Sequence, residues 1–242
     1  MIAVKIVGFK KSGKTTLTVD LVAELMRRNV QTAAAKSTHQ LTLDKADTDT
    51  ARLLEVATSV AALAPTQCGV AFPEKRSLLD LLPLLRGEAL VVEGGKALGF
   101  LPQIVVLRDP SEAADLGAVP GGITLATFGS IAVPGIPHVE TVADLADIVL
   151  AQGFLLPGLD CSACGFETCR EMAARIVSGQ CSRSDCKATS SELSISVGGA
   201  ELGLNPFVAS IVAGSIRGML AQLKGYAGTD VHIHLKGGGK ST

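Results

Sequence analysis

Hydrophobic strands and amphipathic helices alternate through the first part of the chain. The apolar segment IAVKIV at residues 2–7 predicts a buried strand, and the stretch after it carries apolar residues at helical spacing: Leu17, Leu21, Val22, Leu25 and Met26. Further strands are predicted at residues 30–36, 59–64, 89–94, 103–108 and 123–129. Further helices are predicted at residues 47–57, at 77–85 with a kink at Pro83, and at 139–152. This alternation is typical of α/β folds with a mainly parallel sheet.

The pattern changes at GFLLPGLD (residues 153–160), where Gly and Pro interrupt it and a cysteine-rich block follows. Beyond that block, strands at 192–197 and 230–235 are expected to bracket a helix that Asn205 caps and Pro206 begins. The apolar stripe of this helix consists of Val208, Ile211, Val212, Met219, Leu220 and Leu223. We therefore expect three parts: an α/β domain (1–153), a small helical cysteine domain (154–190) and a small α+β segment with a flexible tail (191–242).

The loop after the first strand reads GFKKSGKT (residues 8–15) and fits the pattern G-x-x-x-x-G-K-[ST] without departure. Its glycines let backbone N–H groups point at phosphate oxygens, and the following helix presents its positive end to the same anion. Lys14 would reach the terminal phosphates and Thr15 would bind Mg²⁺. The predicted nucleotide-binding residues are Gly8, Lys10, Lys11, Ser12, Gly13, Lys14, Thr15 and Thr16. A turn that binds nothing is the alternative, but the flanking strand and helix favour a nucleotide loop.

A nucleotide loop of this kind needs acidic partners. Glu93 ends a predicted strand, where nucleotide hydrolases keep a carboxylate for Mg²⁺ or the attacking water, although it could simply terminate the strand. Asp49 could bind the metal through water or cap a helix, whereas Asp44 and Asp47 are expected to be caps or surface residues. The candidate catalytic residues are thus Lys14, Glu93 and Asp49. No Asn-Lys-x-Asp motif occurs, so the residues leave GTP and ATP both open.

Five of the 6 cysteines lie in one block, with the spacing Cys161-x2-Cys164-x4-Cys169-x11-Cys181 and then Cys186. An iron–sulfur cluster needs four thiolates, and three are often supplied by one tight loop. The intervening REMAARIVSG is long enough to form a helix before the fourth ligand. A structural zinc is the rival, but only the first pair has the usual zinc spacing and the block contains no His. From spacing alone, Cys186 could be a spare cysteine, a redox thiol or the fourth ligand.

The composition narrows the class of partner. A hydrophobic share of 47% provides a packed core, and a formal net charge of −1 with 3% aromatic residues gives no argument for a nucleic-acid partner. No apolar run is long enough to cross a membrane and no signal-peptide pattern opens the chain, so we expect a cytoplasmic protein. In a reducing compartment the cysteine block indicates a metal site rather than disulfides. The isolated Cys68 is expected to be a small buried residue.

Several stretches of the first domain resemble the MobB-like P-loop proteins that act in molybdopterin-guanine dinucleotide biosynthesis. The stretches are VGFKKSGKTTL, AAAKSTH, DKADTDT and VVEGGKALGFLPQIVVLR. The resemblance is clearest over roughly the first 110 residues. It implies a P-loop α/β fold, GTP with Mg²⁺ as ligands and a dimer.

The stretch CSACGFETCREMAARIVSGQC is similar to the 4Fe–4S domain of the electron-transport complex B subunit and of the corrinoid iron–sulfur protein. The short MobB-like proteins end without such a cluster. This second resemblance implies cluster ligands at Cys161, Cys164, Cys169 and Cys181, in preference to Cys186. It also implies that the cluster relays electrons.

The two motifs together predict a P-loop NTPase that assists assembly of the molybdenum or tungsten pterin cofactor. Its intrinsic hydrolysis is expected to be slow until a partner completes the site. Two alternatives remain: an NTP-gated electron donor to a corrinoid or nickel enzyme, and a non-catalytic scaffold whose cluster is structural. Each hypothesis requires a protein partner, either in cofactor biosynthesis or a metalloenzyme.

Overall fold

The structure, a computed structural model, describes residues 1–38, 48–189, 193–197, 200–202, 204–226, 228 and 231–233. Its strands are β1 (Ile2–Val7), β2 (Thr32–Lys36), β3 (Val60–Leu63), β4 (Cys68–Ala71), β5 (Ala89–Glu93), β6 (Gln103–Val106), β7 (Thr124–Phe128), β8 (His138–Val139), β9 (Ile195–Val197) and β10 (Ala200–Leu202). Its helices are α1 (Lys14–Arg27), α2 (Asp49–Leu54), α3 (Leu78–Leu81), α4 (Glu112–Asp115), α5 (Val142–Gln152), α6 (Cys169–Val177) and α7 (Pro206–Leu220), with short 3₁₀ turns at Leu82–Leu84 and Arg183–Asp185.

Six strands form one sheet in the order β2-β5-β1-β6-β7-β8, and each neighbouring pair is parallel. The predicted α/β fold with a parallel sheet is therefore confirmed. Since all six strands run the same way, their carboxyl ends meet at one edge of the sheet. Glu93 at the end of β5 pairs in register with Ile6 of β1 on one side and with Lys36 of β2 on the other. The loop that follows β1 thus emerges beside Glu93.

Each face of the sheet has its own hydrophobic layer. On one face, α1 and α5 contribute Leu17, Leu21, Leu145 and Val149, which pack on alternate residues of β1 and β5 such as Val4. The side chains that point the other way include Ala3, Leu90, Val92 and Leu101. This layer is completed by Leu78, Leu82, Leu85, Leu98, Phe100 and Leu155. The alternation of faces along each strand is the two-residue period of β-structure.

The connection from β5 to β6 (residues 94–102, called the crossover below) has to pass across β1, which lies between those strands. Such connections usually contain a helix that satisfies its own backbone groups, but this one has none. Lys5 of β1 supplies donors instead: its fully buried Nζ donates to the carbonyl oxygens of Gly95 (3.3 Å), Lys96 (3.1 Å) and Leu98 (2.5 Å). An ammonium group has three N–H donors, so the three bonds use all of them.

The cysteine region packs against the amino ends of β1 and β6. The N–H of Phe154 donates to the carbonyl of Ala3 (3.0 Å), and the N–H of Leu156 donates to that of Phe100 (2.9 Å). Helix α6 begins at a Thr168 cap and buries Met172 completely. A separate hydrophobic layer joins this helix to the main sheet: Ile123, Phe154, Leu156, Met172, Ala173 and Cys186.

Several local predictions differ from the structure. The helix expected at 77–85 is split at Pro83 into α3 and a 3₁₀ turn, since proline cannot donate the helical bond. The helix expected at 47–57 covers only Asp49–Leu54, after a Thr48 cap, and Asp47 lies outside the described residues. Of the strand expected at 230–235, residues 231–233 are described and lie outside any strand. Cys68, expected to be buried, is exposed on β4.

The carboxyl-terminal helix α7 begins as predicted, with the Asn205 side chain accepting from the N–H of Val208 at 2.9 Å. Its apolar stripe, however, is not a core face. Ile211 is 52% exposed and Met219 is 66% exposed, whereas the buried positions of the helix are Ala209 and Ala213. None of the helices in the described residues is both long enough and apolar enough to span a membrane.

Candidate functional site

The loop from Gly8 to Thr15 connects β1 directly to α1. Two of its glycines are required by geometry. A β-carbon on Gly8 would lie 2.6 Å from the carbonyl oxygen of Val106, and Gly13 adopts φ 89°, which L-residues rarely adopt. The loop therefore has the close backbone approach and the left-handed turn that an anion-binding loop before a helix needs.

The side chains of the loop are arranged around the start of α1. Lys14 Nζ reaches back to the carbonyl oxygen of Phe9 at 2.7 Å. Ser12 Oγ is the buried side-chain oxygen for which the described residues provide no hydrogen-bond partner. Lys10, Lys11 and Thr16 are exposed at the mouth of the loop. A buried hydroxyl without a partner fits a loop that is completed by a ligand with hydrogen-bond acceptors.

Glu93 lies next to this loop, as predicted. Its Oε1 accepts a hydrogen bond from Thr15 Oγ1 at 2.8 Å, and its Oε2 forms an ion pair with Lys36 Nζ at 3.1 Å. A hydroxyl and a carboxylate are oxygen ligands of the type Mg²⁺ prefers, so this pair fits a magnesium site. Asp49 is placed elsewhere: it is the exposed first residue of α2. Asp44 lies outside the described residues.

Several positively charged side chains lie close to the loop. Burial lowers the pKa of Lys14, and the nearby Glu93 carboxylate opposes that shift by raising it. The positive charges of Lys96, Lys36 and Arg108 lower the Lys14 pKa further. A concentration of positive charge at the end of a parallel sheet is suited to a polyphosphate.

Two of these cations were not predicted from the sequence. Lys96 Nζ lies 4.0 Å from the centre of the Phe9 ring, and the guanidinium of Arg108 lies 5.5 Å from the same ring. Arg108 also donates to the carbonyl oxygen of Lys10 (3.1 Å) and is held by Glu112 (Nε to Oε1, 2.7 Å). A sequence signal was present, since Lys96 follows one predicted strand and Arg108 ends another, but the sequence did not indicate that Phe9 would contact them.

The second candidate site is a small pocket beside the amino end of α6, with a cavity volume of about 10 Å³. Its cysteines are Cys161, Cys164, Cys169 and Cys186. The loop is shaped by the chain itself: Asp160 Oδ1 accepts from the N–H of Cys169 at 2.5 Å, and Ser162 Oγ donates to the carbonyl of Glu167 at 3.3 Å. Burial raises the pKa of Cys169. Among the described residues, no three His, Cys, Asp or Glu side chains converge closely enough to hold a single ion.

Cys181 follows α6 and packs against the same hydrophobic layer as Cys164 and Cys169. Its sulfur lies 3.9 Å from the carbonyl oxygen of Met172, and it is absent from the residues that line the pocket within the described chain. Burial raises its pKa, and the negative charges of Asp185 and Cys164 act in the same direction. Cys186 is buried in the layer next to Met172 and lines the pocket. Three of the four predicted cysteines thus line the pocket together with Cys186, and Cys181 packs against the same hydrophobic layer.

The first strand of this parallel sheet leads through a G-x-x-x-x-G-K-T loop into a helix, and a carboxylate ends the neighbouring strand β5. These features define a P-loop NTPase-like α/β protein. The family can also be stated. The chain belongs to the family of molybdopterin guanine dinucleotide synthesis protein B, MobB, whose model matches residues 3–126. A second family model, FeS, which describes a proposed Fe-S cluster, matches residues 156–188. The two resemblances inferred from the sequence are therefore confirmed.

Solved structures of MobB proteins are similar to this chain. MobB of Bacillus subtilis is 22% identical with a TM-score of 0.50, and the match covers 64% of this chain and 99% of that one. A MobB protein homolog from Bacillus stearothermophilus is 22% identical with a TM-score of 0.42, over 62% of this chain and 94% of that one. The first of these likenesses supports the fold. Among curated proteins, none matches the chain.

Proposed function

We propose that this protein binds and slowly hydrolyses a nucleoside triphosphate with Mg²⁺, carries a 4Fe–4S cluster, and assists biosynthesis or insertion of the molybdenum or tungsten pterin cofactor. The contact between Thr15 and Glu93 (2.8 Å) carries the nucleotide part, because it places a hydroxyl and a carboxylate together beside the phosphate loop. Family membership supports the role in cofactor synthesis and favours GTP over ATP. A protein partner, a dimeric state and a cytoplasmic location belong to the same proposal.

The residues of the loop have separate tasks in this proposal. Backbone amides and the amino end of α1 bind the phosphates, and Lys14 neutralises the terminal ones. Thr15 and Glu93 would hold Mg²⁺, which would supply positive charge against the phosphates when bound. Lys36, paired with Glu93, orients that carboxylate. Asp49 is exposed at the start of α2 and would have to move toward the phosphates in order to act.

The cysteine part of the proposal departs from the ligand set that the resemblance implied. We assign the cluster to Cys161, Cys164, Cys169 and Cys186, because these four line one pocket whereas Cys181 does not. Four thiolates suit an iron–sulfur cluster, which supplies one-electron transfer when bound. The thiolate donors suit such a group, and Asp160 fixes the backbone of Cys169, but the thiols would have to converge further to hold the cluster.

The nucleotide part is tested by isothermal titration of the anaerobically purified chain with GTP and ATP, each with and without Mg²⁺. Tight binding of Mg·GTP in preference to Mg·ATP is expected. A protein that binds neither nucleotide would refute the proposal. Lys14→Ala tests the scaffold alternative, because a scaffold that only binds partners would keep its cellular function with this substitution.

The cluster part is tested with a matched pair of variants, Cys181→Ser and Cys186→Ser. Each removes one thiol near the same helix, and because Cys186 is the more deeply buried, circular dichroism and thermal unfolding of both variants control for disturbance of the fold. Iron and sulfide analysis and the visible absorption of anaerobic protein should show full cluster content in Cys181→Ser and strong loss in Cys186→Ser. The opposite result would restore Cys181 as the ligand, and a metal-free wild-type protein would remove the cluster from the proposal.

A further inference from the structure

The crossover (residues 94–102) begins at the nucleotide loop and ends at the cysteine region. It starts directly after Glu93, which accepts the hydrogen bond of Thr15. Near its other end, Gly99 approaches α6 so closely that a β-carbon there would lie 2.7 Å from Cβ of Arg170. Arg170 is the neighbour of Cys169 on that helix. The crossover therefore runs from the residue that contacts Thr15 of the nucleotide loop to a residue that packs beside the neighbour of Cys169.

A second contact joins the crossover to the cysteine region. The carbonyl of Phe100 accepts the N–H of Leu156 at 2.9 Å, and a β-carbon on Gly158 would lie 3.0 Å from the Phe100 ring. The same ring packs against the buried layer of α6. The far end of the crossover is thus held by the segment that leads into the cysteine loop.

Lys5 anchors the middle of the crossover. Its fully buried side chain donates to the carbonyls of Gly95, Lys96 and Leu98, which are the positions between the two contacts. Lys5 belongs to β1, the strand that leads into the phosphate loop. Because a buried ammonium that loses its acceptors costs several kcal/mol, the crossover is expected to move with β1 rather than independently of it.

We propose that the crossover, anchored by Lys5, couples the nucleotide site to the cysteine site, so that occupancy of one changes the affinity of the other. The coupling rests on the proposed function, since both ligands come from it. Its physical basis is a packed connection without a flexible link: Glu93 at one end, the three Lys5 bonds in the middle, and Gly99 against Arg170 at the other end. Coupling of this kind is reciprocal, so either ligand can report it.

The test measures the dissociation constant of a fluorescent, non-hydrolysable GTP analogue with Mg²⁺ on the full chain, once with the cluster loaded and once without it. The quotient of the two constants is the coupling ratio. We expect a ratio that departs from one by about fivefold or more in the wild-type protein. Arg170→Ala keeps Cβ but removes Cγ beside Gly99 together with the guanidinium group, and it alters none of the residues assigned to either ligand. In this variant the ratio should move to within about twofold of one.

Arg175→Ala is the matched control. It removes the same charge from the same exposed surface of α6, but Arg175 bonds to Gln180 at 2.5 Å instead of contacting the crossover. This variant should keep the wild-type ratio. Lys5→Met provides a second test of the anchor and should also abolish the coupling. The result with Arg170→Ala stands even if Lys5→Met does not fold.

A second readout needs no cluster. In the cluster-free protein, addition of the GTP analogue with Mg²⁺ should change the rate at which the pocket cysteines are alkylated. Arg170→Ala should lose this change, and Arg175→Ala should keep it. A wild-type protein that binds both ligands but has a ratio of one, with alkylation unaffected by nucleotide, would overturn the coupling and leave the proposed function standing. A protein that binds no nucleotide or no iron would overturn both.

Discussion

A Lys5→Met substitution is expected to change how the stability of the protein depends on pH. Lys5 is completely buried, and burial, with a smaller contribution from the positive charge of Arg170, lowers its pKa from 10.5 to about 7. In the unfolded chain the amine keeps its ordinary pKa, so between pH 7 and 10.5 the unfolded state binds more protons than the folded state. The free energy of unfolding must then rise with pH in this window. Below pH 7 the full cost of burying the charge is present.

The size of the effect follows from the shift. One pKa unit corresponds to about 1.4 kcal/mol, so raising the pH from 7 to 9.5 should relieve about 3 kcal/mol of that cost. Methionine cannot ionise and has a similar shape, so the variant lacks this term. The difference in unfolding free energy between wild type and variant should therefore grow by about 3 kcal/mol in favour of the wild type over this interval.

The measurement is denaturant unfolding of both proteins at pH 7 and pH 9.5, followed by circular dichroism. Every other titrating group is shared, so its contribution cancels in the difference between the two proteins. Arg170→Ala should give a smaller slope than the wild type, because its charge contributes to the lowered pKa of Lys5. If the difference in unfolding free energy between wild type and Lys5→Met stays constant from pH 7 to 9.5, Lys5 keeps an ordinary pKa and the reasoning from burial is wrong.

Three further predictions concern other parts of the chain. Lys14→Ala should weaken nucleotide binding by about 1.5–3 kcal/mol, the worth of a hydrogen bond to a charged group. Lys11→Ala should have a smaller effect on the titrated affinity, because it keeps the backbone N–H of the loop and removes only an exposed side chain. Glu93→Gln should remove most of the gain in affinity that Mg²⁺ provides while leaving binding without Mg²⁺ nearly unchanged, as titrations with and without EDTA would show. Asn205→Ala should destabilise α7 by about 1 kcal/mol and lower its helical signal on heating, whereas Asn205→Gly should cost only a few tenths; equal losses in both variants would argue against a cap.

Much of the fold could be predicted from local patterns. The parallel sheet, α1, α5 and the pairing of the phosphate loop with Glu93 all follow from periodicity and from the rule that parallel strands end at a common edge. Lys5 could not be anticipated, because a lysine inside an apolar strand is usually placed at the surface, and only the path of the crossover shows which acceptors it meets. The α7 stripe was misjudged for a related reason: periodicity identifies an apolar face but not whether another element covers it.

The cysteine ligands illustrate a different limit. Spacing along the chain could identify the block, but it could not decide between Cys181 and Cys186. The structure adds that Cys186 lines the pocket with Cys161, Cys164 and Cys169, which is why the proposal prefers it. Cys68 was assigned to the interior by residue type alone. Its strand β4 pairs only with β3 in a two-stranded antiparallel sheet among the described residues, and Cys68 is exposed there.

The bend that presents the first two cysteines has an energetic consequence of its own. Asp160 and Ser162 adopt positive φ values of 44° and 56°, which cost a non-glycine residue about 1–2 kcal/mol each. Two side-chain hydrogen bonds, Asp160 to the Cys169 amide and Ser162 to the Glu167 carbonyl, offset part of that strain without any metal. Assembly of an inorganic centre would then start from a loop whose backbone is already bent, and the ordering left to the polypeptide would be the convergence of the cysteine side chains.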